Sequence, residues 1–269
     1  MANELRMRLG VHNLSSDQVG AFREAYRQMM SINDNRGYNF FAGLHGAPNW
    51  FCWHHQQNAT SALRMQIFLP WHRAYLYNFE LAMRDRVPDI TLPWWDWTLG
   101  APRQSGLPAI FTDPRDGTKP NPLLRFRIDL PNSNPPVNHN TTRSPGDPSD
   151  LQGQTGPGAD GLLDQTDWSD FTDGLEDLHD FVHGWVSGDM GNIGTAAYDP
   201  IFWSHHAMID RLWWIWQARH GNANISTDLL DVVLQPFNLR VRDVLNANDL
   251  GYDYAAAQGV IAIGGTGNG

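Results

Sequence analysis

Asp177-Leu-His-Asp-Phe-Val-His-Gly-Trp185 and, fourteen residues on, Asp199-Pro-Ile-Phe-Trp-Ser-His-His-Ala-Met-Ile-Asp-Arg-Leu-Trp-Trp214 decide how the chain is read. His179 and His183 stand four apart, and residues i and i+4 share one face of a helix. The adjacent pair His205 and His206 follows just over twenty residues later. Two imidazoles from one helix and one from the next can hold a single metal ion and leave space beside it for a small molecule.

The rest of the composition narrows the class. A chain of 269 residues makes one large domain or two small ones, and 41% apolar residues are ample for a core. A net charge of −10 argues against nucleic acid or an anionic membrane as partner. Twelve tryptophans imply large buried aromatic area, and eleven histidines in an acidic chain invite a metal. Cys52 is the one cysteine, which excludes an intrachain disulfide and a Cys-rich zinc finger. No apolar signal core follows Met1 and no run approaches a membrane span. The chain therefore reads as soluble: cytoplasmic, or exported with a partner or after removal of a leader.

Residues 1–14 read as extended, with alternating Leu5, Met7, Leu9 and Val11. Ser15 and Gln18 form a capping box for a helix that carries Val19, Phe22, Tyr26, Met29 and Met30 and ends by Asn33. Residues 33–50 present His45 from a loop or short helical turns. A long helical region over 61–86 contains Pro70, which starts or kinks a turn, and His72, Tyr75, Leu76, Phe79 and Met83 recur beyond it. Residues 100–161 lack periodicity and are rich in Pro, Gly and Asn, so they read as a long surface excursion that carries His139 as a solvated loop residue. Helix is expected again from Trp168 to Val186 and from Pro200 to His220, with Gly221 as cap and His220 as a terminal residue, not a ligand. A shorter helix broken by Pro236 is expected over 229–244, and the Gly-rich tail 259–269 reads as frayed. The whole, 1–269, reads as one mainly α domain with long irregular loops and little β structure.

Two histidine regions emerge. The first holds His45, His54-His55 and His72; the second holds His179, His183 and His205-His206. Taking one from each adjacent pair gives three ligands per half. So many imidazoles bedded in Trp, Phe and Leu would be costly in an apolar bundle unless metal or hydrogen bonds satisfied them. All-imidazole sites suit copper and zinc, and the affinity order favours copper. A zinc hydrolase is the rival, because His179-Asp180-Phe181-Val182-His183 has the outline of H-E-x-x-H. Asp180 is one methylene too short for that base, and the first histidine region is left without a role.

Phe68-Leu-Pro-Trp-His-Arg73, with Glu80 after it, resembles the first copper signature of tyrosinases. Asp199-Pro-Ile-Phe-Trp-Ser-His-His206, with Asp210-Arg211, resembles the second. With His179-x-x-x-His183 they resemble the type 3 copper proteins: tyrosinases, catechol oxidases, o-aminophenol oxidases and molluscan haemocyanins. The resemblance, from about His45 to Tyr254, implies a four-helix bundle around two copper ions that bind dioxygen. By motif the first copper takes His45, His54 and His72, with His55 in reserve, and the second takes His179, His183 and His206, with His205 beside them as neighbour or pocket wall. One spacing departs: counting the family's interval back from His72 lands on Leu63, which cannot bind copper. Cys52, two before His54, matches the cysteine that is thioether-linked to that ligand in fungal and molluscan relatives.

The implied reaction is oxidation of o-diphenols to o-quinones by dioxygen, with small phenols and dioxygen as partners; the resemblance also leaves room for a copper-delivery partner. Hydroxylation of monophenols would need a proton acceptor. Glu176 matches the fungal water-holding Glu, whereas Asp180 stands where tyrosinases have Asn, so two close carboxylates would push one pKa up. Ile193 matches the residue placed over the second copper. Tyr252-Asp253-Tyr254 resembles the Tyr-x-Tyr closing the catalytic domain, with Arg6 or Arg8 as partner. The family's C-terminal shielding domain is not in this sequence, so an open site is expected. An o-aminophenol oxidase and a haemocyanin-like oxygen carrier are the competing readings.

Overall fold

The computed structural model of the protein describes residues 5–52, 66–99 and 106–255. In chain order its main elements are β1 (Arg6–Arg8), α1 (Ser16–Met30), α2 (Tyr38–His45) and α3 (Phe68–Arg84). Then follow β2 (Arg127–Leu130), β3 (Val137–Asn140), α4 (Pro148–Leu163), α5 (Trp168–Val186), α6 (Ile201–His220) and β4 (Tyr252–Tyr254). No described helix is long and apolar enough to cross a membrane.

α6 is the central element. A helix apolar on all sides belongs inside a fold, and α6 is buried without interruption from Ile201 to Trp213, with Ile215 and Trp216 beyond. It packs on α3 and α4, and α5 reaches it through Phe171, which stacks on Trp216 at 4.8 Å. α3 buries Phe68, Trp71, His72, Tyr75, Leu76, Phe79 and Met83 at helical spacing. Pro70 costs α3 nothing, because it lies in the first turn, where N–H groups lack intrahelical partners. Phe79 stacks on Trp203 of α6 at 3.6 Å. The described histidines singled out as ligands lie on α2, α3, α5 and α6, which is the helical core expected.

The chain's two described ends close on each other. β1 pairs in parallel with β4, and Arg8, not Arg6, turns inward. Its guanidinium donates to Glu80 (2.8 Å), to Asp210 (3.2 Å) and to the Tyr254 hydroxyl (2.9 Å). Asp210 also accepts from Arg73 at 2.5 Å and from the Tyr252 hydroxyl at 2.7 Å. Every member is buried, so each charge is compensated by partners and not by water. This cluster locks α3 to α6 one residue after His72 and one turn after His206.

The capping box at Ser15 and Gln18 is present, and α1 ends at Met30. The expected excursion over 100–161 needs correction. Its described part contains the hairpin β2–β3 and most of α4, and Leu123, Ile128 and Leu151 enter the core. Asp147 accepts from the Ser149 N–H and Pro148 opens the first turn, a start signal hidden among loop residues. His139 lies on β3 rather than in a loop, and its half-exposed ring pairs with Asp189 at 2.9 Å. No continuous helix forms over 229–244: a single turn Thr227–Leu230 leads into a two-residue ladder about Pro236 and a 3₁₀ turn. Met7 in the expected apolar alternation is exposed, since the inward position of β1 belongs to Arg8. The tail 259–269 lies outside the described residues.

Candidate metal centre

Each histidine reaches the centre by a local device. His45 is the last residue of α2, and Gly46 after it has room only for hydrogen: a Cβ there would stand 2.5 Å from the Ile193 carbonyl oxygen. The loop 188–197 is thereby pressed against the end of α2, where Ala47 N–H donates to Gly194 O at 3.1 Å. His72 sits in the second turn of α3, His179 and His183 are successive turns of α5, and His205 and His206 lie inside α6.

The rings converge. His206 Nε2 lies 3.2 Å from His179 Nε2 and 3.3 Å from His183 Nε2. Four nitrogen ligands about 2.0 Å from a tetrahedral ion stand about 3.3 Å from one another, so these two separations fit a metal between the rings. On the other side His72 stacks on His206 at 4.3 Å. The possible ligand atoms of His45, His72 and His206 fall within 4.8 Å of one another, as do those of His179, His183, His205 and His206. His206 belongs to both groups.

Hydrogen-bond partners assign the tautomers. Nδ1 of His72 faces Phe68 O at 2.9 Å, that of His183 faces Met190 O at 2.7 Å, and that of His45 faces Ile193 O at 3.3 Å. His179 Nδ1 faces Asp180 Oδ1 at 3.1 Å. These oxygens only accept, so each Nδ1 carries the proton and each Nε2 keeps the lone pair a metal needs. His205 is the reverse. Trp97 Nε1–H donates to its Nδ1 at 3.1 Å, which places the proton of neutral His205 on Nε2. Burial, with neighbouring histidines adding to it, holds His183, His205 and His206 well below the ordinary histidine pKa. They are neutral at pH 7, the state that binds metal.

A cleft of about 300 Å³ opens on the centre, lined by His45, His179, Asp180, His183, Ile193 and neighbouring small residues. Ile193 is 41% exposed at its rim. His205 is not part of this lining, in contrast to the expectation of a pocket wall; it packs behind, its ring parallel to His179 at 5.2 Å. Glu176 is buried one turn before His179 and also lies outside the lining, while the Asp180 side chain is 64% exposed at the cleft. Asp180 Oδ1 faces His179 Nδ1, so this carboxylate also orients a ligand. Cys52 is buried, whereas His54 and His55 lie outside the described residues. His220 is bonded to Leu163 O at the end of α6, away from the centre.

Sequence reasoning missed the supports. Met190 and Ile193 act through backbone carbonyls, which no side-chain pattern reveals. Asp189 holds their loop, accepting from Thr142 N–H at 2.8 Å and pairing with His139. Trp97 was one tryptophan among several, and only its partner in α6 gives it a role.

Comparison with known proteins places these features. The pattern of the family described as the common central domain of tyrosinase matches residues 35–219. A haemocyanin, beta-C chain unit G of Helix pomatia, is 30% identical over 92% of this chain and 65% of its own length. Tyrosinase HcTyr1 of Hahella sp. is 31% identical over 94% of this chain and 64% of its own. The chain thus spans just under two thirds of the length of these two relatives. Among solved structures, a functional unit of octopus haemocyanin superposes with a TM-score of 0.77 at 28% identity, covering 92% of this chain and 67% of that one. The tyrosinase of Burkholderia thailandensis at high pH gives 0.79 at 21% identity over 96% and 75%, a likeness of fold.

Proposed function

Because the chain belongs to the family of the common central domain of tyrosinase, a type 3 copper family, we propose that it is a copper-dependent oxidase of o-diphenols. Two molecules of diphenol give two of o-quinone while one dioxygen becomes two waters. The observation that carries the copper reading is the convergence of His179, His183 and His206 through Nε2 at 3.2 and 3.3 Å. These three would hold one ion, and His45, His54 and His72 the other. When bound, copper supplies paired one-electron acceptors and the binding place for dioxygen.

The chain's own residues do the rest. Phe68, Met190 and Ile193 carbonyls and the Asp180 carboxylate orient the imidazoles and keep their protons on Nδ1. The cleft between His45, His179 and Ile193 admits a flat ring against imidazole faces. A cleft of about 300 Å³ is larger than dioxygen needs and accommodates a phenolic ring, which supports the oxidase reading. Asp180, bound to His179, is committed to orienting a ligand, which favours diphenols over monophenol hydroxylation.

Reversible oxygen binding is the second reading, favoured by haemocyanins as similar to this chain as a tyrosinase is. Oxygen uptake by the copper-loaded protein, with catechol, a monophenol and an o-aminophenol in turn, separates them. Consumption with catechol is expected. An oxygenated absorption band that appears and disappears with oxygen pressure, with none consumed, would make the protein a carrier.

A further inference from the structure

The loop that forms one wall of the histidine cleft has a second cleft on its other side. Met190, Gly191, Ile193 and Ala196 line the first, while the intervening Asn192, Gly194 and Thr195 line the second, of about 490 Å³. Ile193 therefore stands on the crest between them, exposed to solvent. A substituent on a ring in the first cleft that passes over Ile193 enters the second.

The second cleft has its own chemistry. Trp50 lies in it at 38% exposure, with a left-handed backbone at φ 53°. Gly194 makes room for the indole: a Cβ there would be 3.2 Å from Trp50 Cη2. Asn132, Asn134 and Asn192 line the cleft together with Pro48, Pro135 and Val137, while the Ser133 hydroxyl donates to Leu130 O and Pro135 O and that of Thr195 to Asp189 O. Among the described residues no charged side chain lines the cleft, in a chain whose net charge is −10. An aromatic face beside the side-chain amides of three asparagines suits an uncharged ring that bears hydroxyl groups. A charged substituent would lose water there without gaining a counter-charge.

We propose that this second cleft is a specificity subsite for the phenolic substrate, taking a neutral, hydroxyl-bearing ring such as a glycosyl group against Trp50. The inference deepens the oxidase reading and rests on it. Its size is within the range of small-molecule sites.

The test compares 4-methylcatechol with 2-(3,4-dihydroxyphenyl)ethyl glucoside as substrates of the copper-loaded protein and its Trp50→Ala and Asn134→Ala variants. Trp50→Ala is expected to lower kcat/KM for the glucoside about fivefold to tenfold, through KM, the size of one lost aromatic contact. 4-Methylcatechol should be oxidised as before. Equal effects on both substrates, or none on the glucoside, overturn the subsite. Should the protein oxidise neither compound, the oxidase reading falls, and binding of non-oxidisable phenylethyl glucoside by calorimetry decides the cleft alone. Binding weakened by Trp50→Ala keeps the site; binding unchanged, or absent in the parent protein, removes it.

Discussion

Trp97 Nε1 donates to His205 Nδ1 at 3.1 Å, and this one bond separates two adjacent histidines chemically. His205 holds its proton on Nε2, whereas His206 turns Nε2 toward His179 and His183. His206→Ala is expected to abolish copper at the second position and to disturb the first, so that copper per chain falls from two to one or none. His205→Ala should keep both ions but lower Tm, since the buried Trp97 N–H loses its acceptor at a cost of about 1–3 kcal/mol. Elemental analysis after dialysis and a thermal melt measure both; copper lost from His205→Ala and retained in His206→Ala would reverse the assignment.

Asp180 orients His179 through Nδ1. Partners of this kind are worth about 10–100-fold in metal affinity. Asp180→Ala should weaken copper retention by roughly that factor in a chelator competition, and Asp180→Asn, which keeps an acceptor oxygen, by less. Identical behaviour of Ala and Asn would show that the bond contributes nothing.

Asp210 governs acid stability. Burial alone would push its carboxyl up, but the Arg73 and Arg8 guanidiniums and the Tyr254 hydroxyl outweigh burial and hold it below the ordinary value. Its folded pKa is depressed, so its stabilisation is complete above the unfolded value of about 3.9 and fades as pH falls below that. Tm should drop as pH falls below about 4, and the drop should be shallower in Asp210→Asn. At neutral pH, Asp210→Ala should cost about 3–5 kcal/mol, as for other broken buried pairs. Denaturant titrations across that pH range give both quantities.

Gly46 is where α2 meets the loop 188–197. A methyl group would stand 2.5 Å from Ile193 O and 2.6 Å from Gly194 O, both backbone atoms that cannot swing aside. Gly46→Ala should therefore cost about 1–3 kcal/mol, the usual range for overpacking, and loosen His45. Gly153→Ala, with open space around it in the interior of α4, serves as the control and should hold or raise Tm, since alanine is the better helix former by about 1 kcal/mol.

Several parts of this protein were legible without coordinates because they repeat at the period of a helix. His179 and His183, the apolar stripe of α3 and the capping box at Ser15 each depend on residues a few positions apart, and the backbone geometry of a helix does the rest. The Arg8 to Tyr254 contact was also visible as a pairing of motifs, although the choice of Arg8 over Arg6 depends on which face of β1 turns inward. The glycines and prolines of α4 mask a short stripe of Leu151, Ala159 and Leu163, which becomes buried as α4 packs on α5 and α6.

What the sequence determined by itself was the helical class, the two histidine regions and the family they belong to, because ligand spacing along a helix is a local property. What only the tertiary structure decided was which nitrogen of His45 and of His205 is available. That choice lies with the carbonyl of Ile193 and the indole of Trp97, which come from distant segments and act through hydrogen bonds that no spacing encodes, whereas Phe68, Asp180 and Met190 orient His72, His179 and His183 from within seven residues. The wall shared by two clefts is likewise a product of packing: one short loop, wedged against Gly46, gives residues to either side.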